Sequence, residues 1–527
     1  MRKFWLCALM AAGLASCETL DHAPEQRPRP EVNYGEGLTH DMIVLGDRLD
    51  NPYKKSNVRR ALASLYPTKA SSIDLPATDL YVRFLPESDA QLQQLLDLGL
   101  ELVDHPLDYQ IKVEGDWYHD PEFEEEEQTW QYAVLPHDCD LPGDVFYEVI
   151  DECILPDHVP VSKAVQDIDW EAVEREAYVL TGNEEMLLPE TKAPKDAPAG
   201  RITIVDPAAH GGKEFGVAGV RVTCNSFVRM DKCYTDRDGY FEMKKKFSSR
   251  LRYRMVYKNE KGFSIGFNRI FTPASVSTLG KGEAEGLYFT VTPESEEKMY
   301  RRCCVNNAAY DYYRRCERTD MNIALPPADL RLWIFPTLAS SSAAMLHHGT
   351  LLSDAQMGKF WGYCLKMVKY FLPDITIGTK NQENYASIYA SVCHELAHSS
   401  HYTQVGTDYW NQLIHYIVSS FVTDGGHLYG DGTGLGAGES GVSEMWAYYL
   451  SSEMFQERYG GAVPAFGSDF WFHPQIFRAL DERGIHRSDI FRVLQEDVVS
   501  EESLKYALMA AMPYRRSLIE QVFNRYH

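Results

Sequence analysis

Residues 385–402 read YASIYASVCHELAHSSHY. Apolar side chains recur along it at helical spacing and form one stripe, whereas three histidines fall on the opposite side. The stripe consists of Tyr385, Ile388, Tyr389, Val392 and Leu396, and the histidines are His394, His398 and His401. The pattern predicts a helix over 385–402 whose histidine face is lined by small residues, so that another element can approach it closely.

Two histidines four residues apart on a helix project to the same side, one turn apart, and can bind one tetrahedral metal ion. His394 and His398 have this spacing, and the carboxylate of Glu395 beside them could take a proton from a metal-bound water. The alternative is a set of core histidines hydrogen-bonded to neighbours, but burying three without ionic or metal partners would be costly. The pattern therefore favours a zinc site, with His401 shaping the substrate side or supporting a ligand.

The N-terminus carries a targeting signal. It opens Met-Arg-Lys, continues with an apolar run and reaches Leu14-Ala15-Ser16-Cys17. This order resembles a bacterial lipoprotein signal peptide, and the resemblance implies that residues 1–16 are removed and Cys17 is lipidated. The apolar run is too short to span a bilayer. We expect a protein of the cell envelope, lipid-anchored to the outer membrane and either periplasmic or surface-exposed.

Composition limits the partners. The formal charge is −24, and loss of Arg2 and Lys3 with the signal makes it more negative by two charges. This balance argues against nucleic acid, whose phosphates need a basic surface. In an oxidising compartment some of the 11 cysteines should pair, and the local candidates are Cys139 with Cys153 and Cys224 with Cys233. At most one further pair is expected among Cys303, Cys304 and Cys316.

The middle of the chain divides at a proline- and lysine-rich linker over 188–200. Before it, the sequence predicts strands at 80–85 and 100–103, a helix over 88–98 with Ser88 as N-cap, and a helix over 170–180. Beyond it, alternating strands with an Asp-Gly turn predict an all-β sandwich. Gly-Val-Arg-Val at 219–222 and Thr-Asp-Arg-Asp-Gly-Tyr-Phe at 235–241 resemble carboxypeptidase regulatory-like, transthyretin-like modules.

The last third of the chain predicts a helix from Asp354, a strand at 375–378, a second helix at 410–422, and a glycine-rich loop leading into a helix over 442–455. With the histidine motif, this region resembles a zincin metallopeptidase of gluzincin type. The resemblance implies that a glutamate on the following helix is the third ligand. Glu444 matches that pattern, and Glu439 is the alternative. Candidate donors to an oxyanion are Tyr448, His401, His427 and Tyr429, which the sequence does not rank.

The predicted fold class is multidomain α+β. It comprises a signal peptide (1–16), a lipid anchor and tether (17–75), a small α+β domain (76–190), a β-sandwich (199–295) and a mainly helical zincin-like metallopeptidase domain (296–527). The predicted function is that of a zinc-dependent peptidase acting on peptide or protein. Glu395 is the predicted base, and His394, His398 and Glu444 are the predicted zinc ligands. The membrane is expected to be contacted through the N-terminal lipid. The alternative is a non-catalytic surface-binding lipoprotein with a zincin-like domain.

Overall fold

The structure is a computed structural model, and it describes most of the chain beyond residue 38. The described residues are 32–33, 39–71, 73–124, 127–163, 165–189, 196–267, 274–282, 284–294, 297–318, 321–362, 365, 368–369, 372–382, 384–423, 429–460 and 470–526. The predicted signal segment 1–16, the lipidation site Cys17, Cys364 and His427 lie outside these residues.

The N-terminal unit is a small mixed α+β body in which β3 is the middle strand of a three-stranded antiparallel sheet. Strand β1 (Val32–Asn33) lies further upstream. The elements of the unit are β2 (Val44–Arg48), α1 (Lys55–Leu65), α2 (Pro67–Ala70), β3 (Asp79–Leu85), α3 (Asp89–Asp97), β4 (Tyr109–Val113), β5 (Gln131–Pro136), β6 (Phe146–Cys153) and α4 (Trp170–Leu180). Ser88 caps α3 by accepting a hydrogen bond from the Gln91 amide, as predicted.

The predicted strand at 100–103 is wrong. Only Val103 makes a ladder contact there, a single antiparallel bridge to Tyr132. Beyond Val103, Asp104 and His105 are buried in a polar cluster with Arg252 instead of continuing the ladder. The ladder therefore does not extend past Val103 in this direction.

The β-region carries two sheets whose buried side chains join one hydrophobic core. Its strands are β7 (Ala199–Val205), β8 (Glu214–Gly216), β9 (Val220–Ser226), β10 (Arg229–Tyr234), β11 (Tyr240–Glu242), β12 (Leu251–Asn259), β13 (Ser264–Phe267), β14 (Val276–Gly282) and β15 (Tyr288–Val291). The Asp236–Gly239 turn precedes β11 as predicted, with Gly239 at φ 84°. Strand β9 begins directly after Gly219, which turns the chain with φ 64°.

The larger sheet continues into the C-terminal third. Its order is β10-β9-β12-β13-β16-β17, with β16 (Arg331–Phe335) and β17 (Ile375–Gly378) both running parallel to β13. Helix α5 (Glu297–Cys316) contributes buried residues to the same core. The predicted regions 199–295 and 296–527 therefore share one sheet and one core.

The remaining elements are helical. They are α6 (Asp354–Trp361), α7 (Tyr385–Thr423), α8 (Ala437–Tyr459), α9 (Gln475–Asp481), α10 (Arg487–Val493), α11 (Glu501–Ala511) and α12 (Arg516–Phe523). Gly406 interrupts α7 with φ 78° and ψ 180°, so that two helical segments meet there as the sequence indicates. The short helices after Pro474 bury one side each, with Ile476, Leu480, Ile490, Val493, Leu504, Leu508, Ile519 and Phe523 in the core.

The predicted disulfides are not formed. All eight described cysteines after Cys17, namely Cys139, Cys153, Cys224, Cys233, Cys303, Cys304, Cys316 and Cys393, carry free thiols. In the β9–β10 ladder Cys224 lies opposite Asp231 and Cys233 opposite Val222, so the two are diagonal rather than facing. Within the described residues, no helix is long and apolar enough to cross a membrane.

Candidate metal centre

Helices α7 and α8 pack along each other and bring the predicted ligands together. Helix α7 starts where the Asn384 side chain accepts a hydrogen bond from the Ser387 amide. Helix α8 starts at Ala437, five residues earlier than predicted, directly after Gly436 with φ 86°. Glu439 therefore lies in the first helical turn and not in a loop.

His394, His398 and Glu444 form a three-residue cluster that could hold a metal ion. His394 Nε2 lies 3.2 Å from His398 Nε2 and 3.3 Å from Oε2 of Glu444. His398 Nε2 lies 3.4 Å from the other carboxylate oxygen. Ligands at about 2.0–2.1 Å from a tetrahedral zinc ion lie roughly 3.3–3.4 Å apart, so the spacing fits such an ion.

The carboxylate of Glu444 supports this fit. Its side chain is buried, and within the described residues nothing donates a hydrogen bond to Oε2. Burial would raise the pKa of Glu444, but the charge of His398 and the contacts with both imidazoles lower it to about 2. An ionised, buried carboxylate oxygen without a donor is suited to a cation.

Glu395 lies beside the cluster and lines the same cleft. It is buried, and that burial together with the charge of Glu444 raises its pKa, whereas His394 and His398 oppose the rise. A carboxylate with a raised pKa accepts a proton more readily. The residue types and positions therefore suit the predicted base.

A second layer of contacts lies behind His398. Its Nδ1 is 2.8 Å from Oγ of Ser443, and the same oxygen is 3.2 Å from Nδ1 of His401. If Nε2 of His398 faces the ligand cluster, Nδ1–H donates to Ser443, whose own hydroxyl can then donate to His401. Burial, with the charge of His398, lowers the pKa of His401 to about 3, so this ring is neutral.

The other predicted site residues take different places. His401 is fully buried and does not line the cleft, and its Nδ1 faces Ser443. Glu439 is outside the three-residue cluster, and its backbone carbonyl accepts a hydrogen bond from Tyr409. The Tyr448 ring is centred 4.6 Å from that of His394, and its hydroxyl is 2.7 Å from that of Tyr429.

The cluster opens into a cleft that is open to solvent. One wall is the segment 341–344, and the opposite wall is apolar, with Leu413, Ile414, Ile417 and Val418. Strand β17, the predicted strand at 375–378, is not at the edge of the sheet. Ser342 pairs with Thr376 through two backbone hydrogen bonds of 2.8 and 2.9 Å, so segment 341–344 takes the edge position.

Sequence reasoning missed three contributors to this site. Ser443 directly precedes Glu444, and its adjacency to a ligand was the only available signal. Trp410 donates from Nε1 to the Ala343 carbonyl, which fixes the edge segment against α7. The run from Ser340 to Ala344 has low strand propensity, and nothing in it indicated an edge strand.

No known protein family matches the sequence, and no significantly similar curated protein was found.

Proposed function

We propose that this protein is a zinc-dependent peptidase of gluzincin type, held at the cell envelope by a lipid on Cys17. The convergence of His394, His398 and Glu444, at separations that suit a tetrahedral ion, carries the proposal. A zinc ion bound there would supply a Lewis acid for a carbonyl group and an acidified water. Glu395, beside the ligands and in the same cleft, would hold and accept the proton, then pass it to the leaving amine.

The edge segment favours an extended peptide as substrate. The backbone amide and carbonyl of Ser342 both pair with Thr376, so the backbone groups of Ser341 and Ala343 point away from β17. The hydrogen bond from Trp410 to the Ala343 carbonyl is an example. The amide of Ala343 and both groups of Ser341 would then face an incoming chain. A peptide could add to this edge as a further strand.

The apolar wall indicates a preference for the substrate side chain. Trp361 and Leu352 extend the wall formed by the second segment of α7, which is suited to an apolar residue beside the scissile bond. Tyr429 lines the cleft and Tyr448 contacts both it and His394, so these hydroxyls are the proposed donors to the oxyanion.

Replacing the base tests the proposal. Glu395→Gln keeps the shape of the side chain but cannot accept a proton, so the variant should bind zinc as the parent does and lose hydrolysis by roughly 100-fold or more. The measurement is cleavage of a peptide library rich in apolar residues, with zinc content from elemental analysis. Undiminished turnover by the variant would refute the mechanism. A zinc-loaded parent that cleaves no peptide would favour the non-catalytic binding lipoprotein.

A further inference from the structure

Far from the metal centre, a group of cations lies between the N-terminal unit and the larger sheet. Arg254 and Lys258 lie four residues apart on one face of β12, and Arg221 on β9 pairs with Val256 between them. Arg221 and Lys258 line two adjoining cavities, and Arg254 lines the inner one. This set of Arg221, Arg254 and Lys258 is called the cationic row below.

The cationic row has fewer carboxylates bound to it than it has positive charges. Glu101 is bound by Arg221 and also by Lys232, each at 3.1 Å, so one carboxylate serves two cations. Neither Arg254 nor Lys258 makes an ion pair or side-chain hydrogen bond with any residue in the described ranges. Arg254 is only 5% exposed, and its Nε has no partner.

Neighbouring anions already have other partners. Asp104 contacts His105 at 2.8 Å and accepts from the Tyr118 amide, whereas Glu114 accepts from Arg252 at 2.8 Å through Oε2 and keeps its buried Oε1 without a partner among the described residues. Burial and the charge of Arg252 lower the pKa of Arg254 to about 10. Burial and the charge of Arg221 lower the pKa of Lys258 to about 8. Burial is the main cause of both shifts, and the nearby carboxylates, including Glu101 in each case, oppose them only in part.

The cavities leave room for the missing charge. The inner one is small and is also lined by Glu101 and Asp104, and the outer cleft is larger and opens to solvent. Water could hydrate the two cations but would not neutralise them. The outer cleft adds the rings of Tyr234, Phe263 and Trp333, whereas its carboxylates, Asp97 and Asp329, are exposed to solvent. A compact anion fits the inner cavity, and a larger polar group attached to it would extend into the cleft.

We propose that the cationic row is a binding site for a small oxyanion, a sulfate or phosphate group, whose oxygens accept hydrogen bonds from Arg254, Lys258 and Arg221. Guanidinium and ammonium groups together favour such a tetrahedral anion. The anion is either free or the charged group of a small ester that extends into the outer cleft. The protein has an overall formal charge of −24, so long-range attraction does not explain anion binding at this site. The binding must depend on the local cations.

The test uses the full-length protein with sulfate as the probe. Its Tm should rise saturably with sulfate, relative to sodium chloride at equal ionic strength. Lys258→Met should weaken sulfate binding at least tenfold in calorimetric titration. Because this change removes an incompletely neutralised cation, it should leave the Tm in chloride unchanged or higher. Arg254→Met should also weaken binding, and Lys258→Met keeps the test decisive if the buried arginine variant does not fold.

The matched control is Lys281→Met, which removes an exposed lysine from β14 of the same sheet and should bind sulfate as the parent does. A comparison of inorganic phosphate with glucose 6-phosphate distinguishes the two ligand sources. Tighter binding of the sugar ester assigns the outer cleft to the rest of the molecule, and equal affinity assigns the site to a free anion. The proposal is overturned if sulfate adds nothing beyond ionic strength, or if Lys258→Met binds it like the parent.

Discussion

Glu444 and Glu439 lie five residues apart on α8, but only Glu444 lies beside the two histidines. Both side chains are buried, so burial alone does not distinguish them. The helical geometry does, because five residues correspond to 500° of rotation and turn the two side chains about 140° apart. Only one of them can face α7 at the level of His394.

Removing these carboxylates in turn should therefore have different results. Glu444→Ala should abolish both stoichiometric zinc and peptide hydrolysis, because two histidines alone leave the ion with too few protein ligands. Glu439→Ala should keep the metal and weaken activity at most. Elemental analysis after dialysis against a mild chelator measures the metal. Loss of zinc from the Glu439 variant alone would contradict this ligand assignment.

Ser443 links a predicted ligand to a buried neutral histidine. Ser443→Ala would leave Nδ1 of His398 without its acceptor, so we expect zinc affinity to fall about 10- to 100-fold. Ser440→Ala is the matched control, since Ser440 is equally buried on α8 and its hydroxyl has no partner among the described residues. Competition with a fluorescent chelator gives both affinities. Equal zinc affinities in the two variants would rule out a role for the Ser443 hydroxyl.

At the level of elements, the site depends on how closely the start of α8 approaches the chain before α11. A Cβ built on Gly438 would lie 1.8 Å from the backbone carbonyl oxygen of Val499. Backbone atoms cannot move aside as the end of a flexible side chain can. The glycine therefore allows α8 to hold Glu444 at its present height.

Gly438→Ala should accordingly reduce the free energy of unfolding by about 1–3 kcal/mol and weaken zinc binding with it. Gly358→Ala in α6 is the control, because its new Cβ would meet nothing closer than 3.7 Å. That change should be neutral or stabilise by up to about 1 kcal/mol through helix propensity. Urea unfolding of both variants makes the comparison. A Gly438 variant as stable as the parent would show that the two segments are not tightly packed.

At the scale of the whole molecule, the N-terminal unit is fastened to the larger sheet by buried polar groups. Arg252 on β12 donates to Nε2 of His105, and His105 in turn donates from Nδ1 to Asp104, each at 2.8 Å. Arg302 on α5 pairs with Asp116 at 3.0 Å. These contacts join chain segments more than a hundred residues apart, so unfolding either part exposes them.

The contact at His105 should make stability depend on pH. Burial lowers the pKa of His105 to about 4, against 6.5 for a free histidine, and the nearby Arg252 adds to the effect although Asp104 opposes it. Between about pH 6.5 and 4, His105 therefore binds a proton in the unfolded chain but not in the folded chain. The contribution of His105 to the free energy of unfolding is fully present above about pH 6.5. It is lost as the pH falls toward 4, which lowers the free energy of unfolding by up to about 3 kcal/mol. Urea unfolding between pH 7 and 4 should reveal this slope.

His105→Gln isolates that contribution, because glutamine can donate to Asp104 and accept from Arg252 without titrating. The variant should lose less stability than the parent between pH 6.5 and 4, although both share every other titrating group. Parallel profiles for the two proteins would mean that His105 remains accessible to protons in the folded state.

The sequence determined the local features whose signal is periodic or confined to a few neighbours. These include the apolar stripe of α7, the Ser88 cap of α3, the break near Gly406 and the two histidines at i and i+4. In each case the residues that decide the outcome lie within about one or two turns of each other. The resemblance to gluzincins also indicated Glu444, as a glutamate on the helix that follows the histidine motif.

Only the tertiary structure decided the features formed between distant segments. The edge position of segment 341–344 depends on its backbone pairing with Thr376, and the contact of Ser443 with His398 and His401 depends on the packing of α7 against α8. The cationic row depends on which anions of the N-terminal unit are already bound elsewhere. Backbone hydrogen bonding and charge compensation between remote segments leave no periodic pattern in the chain, so no reading of neighbouring residues could have found them.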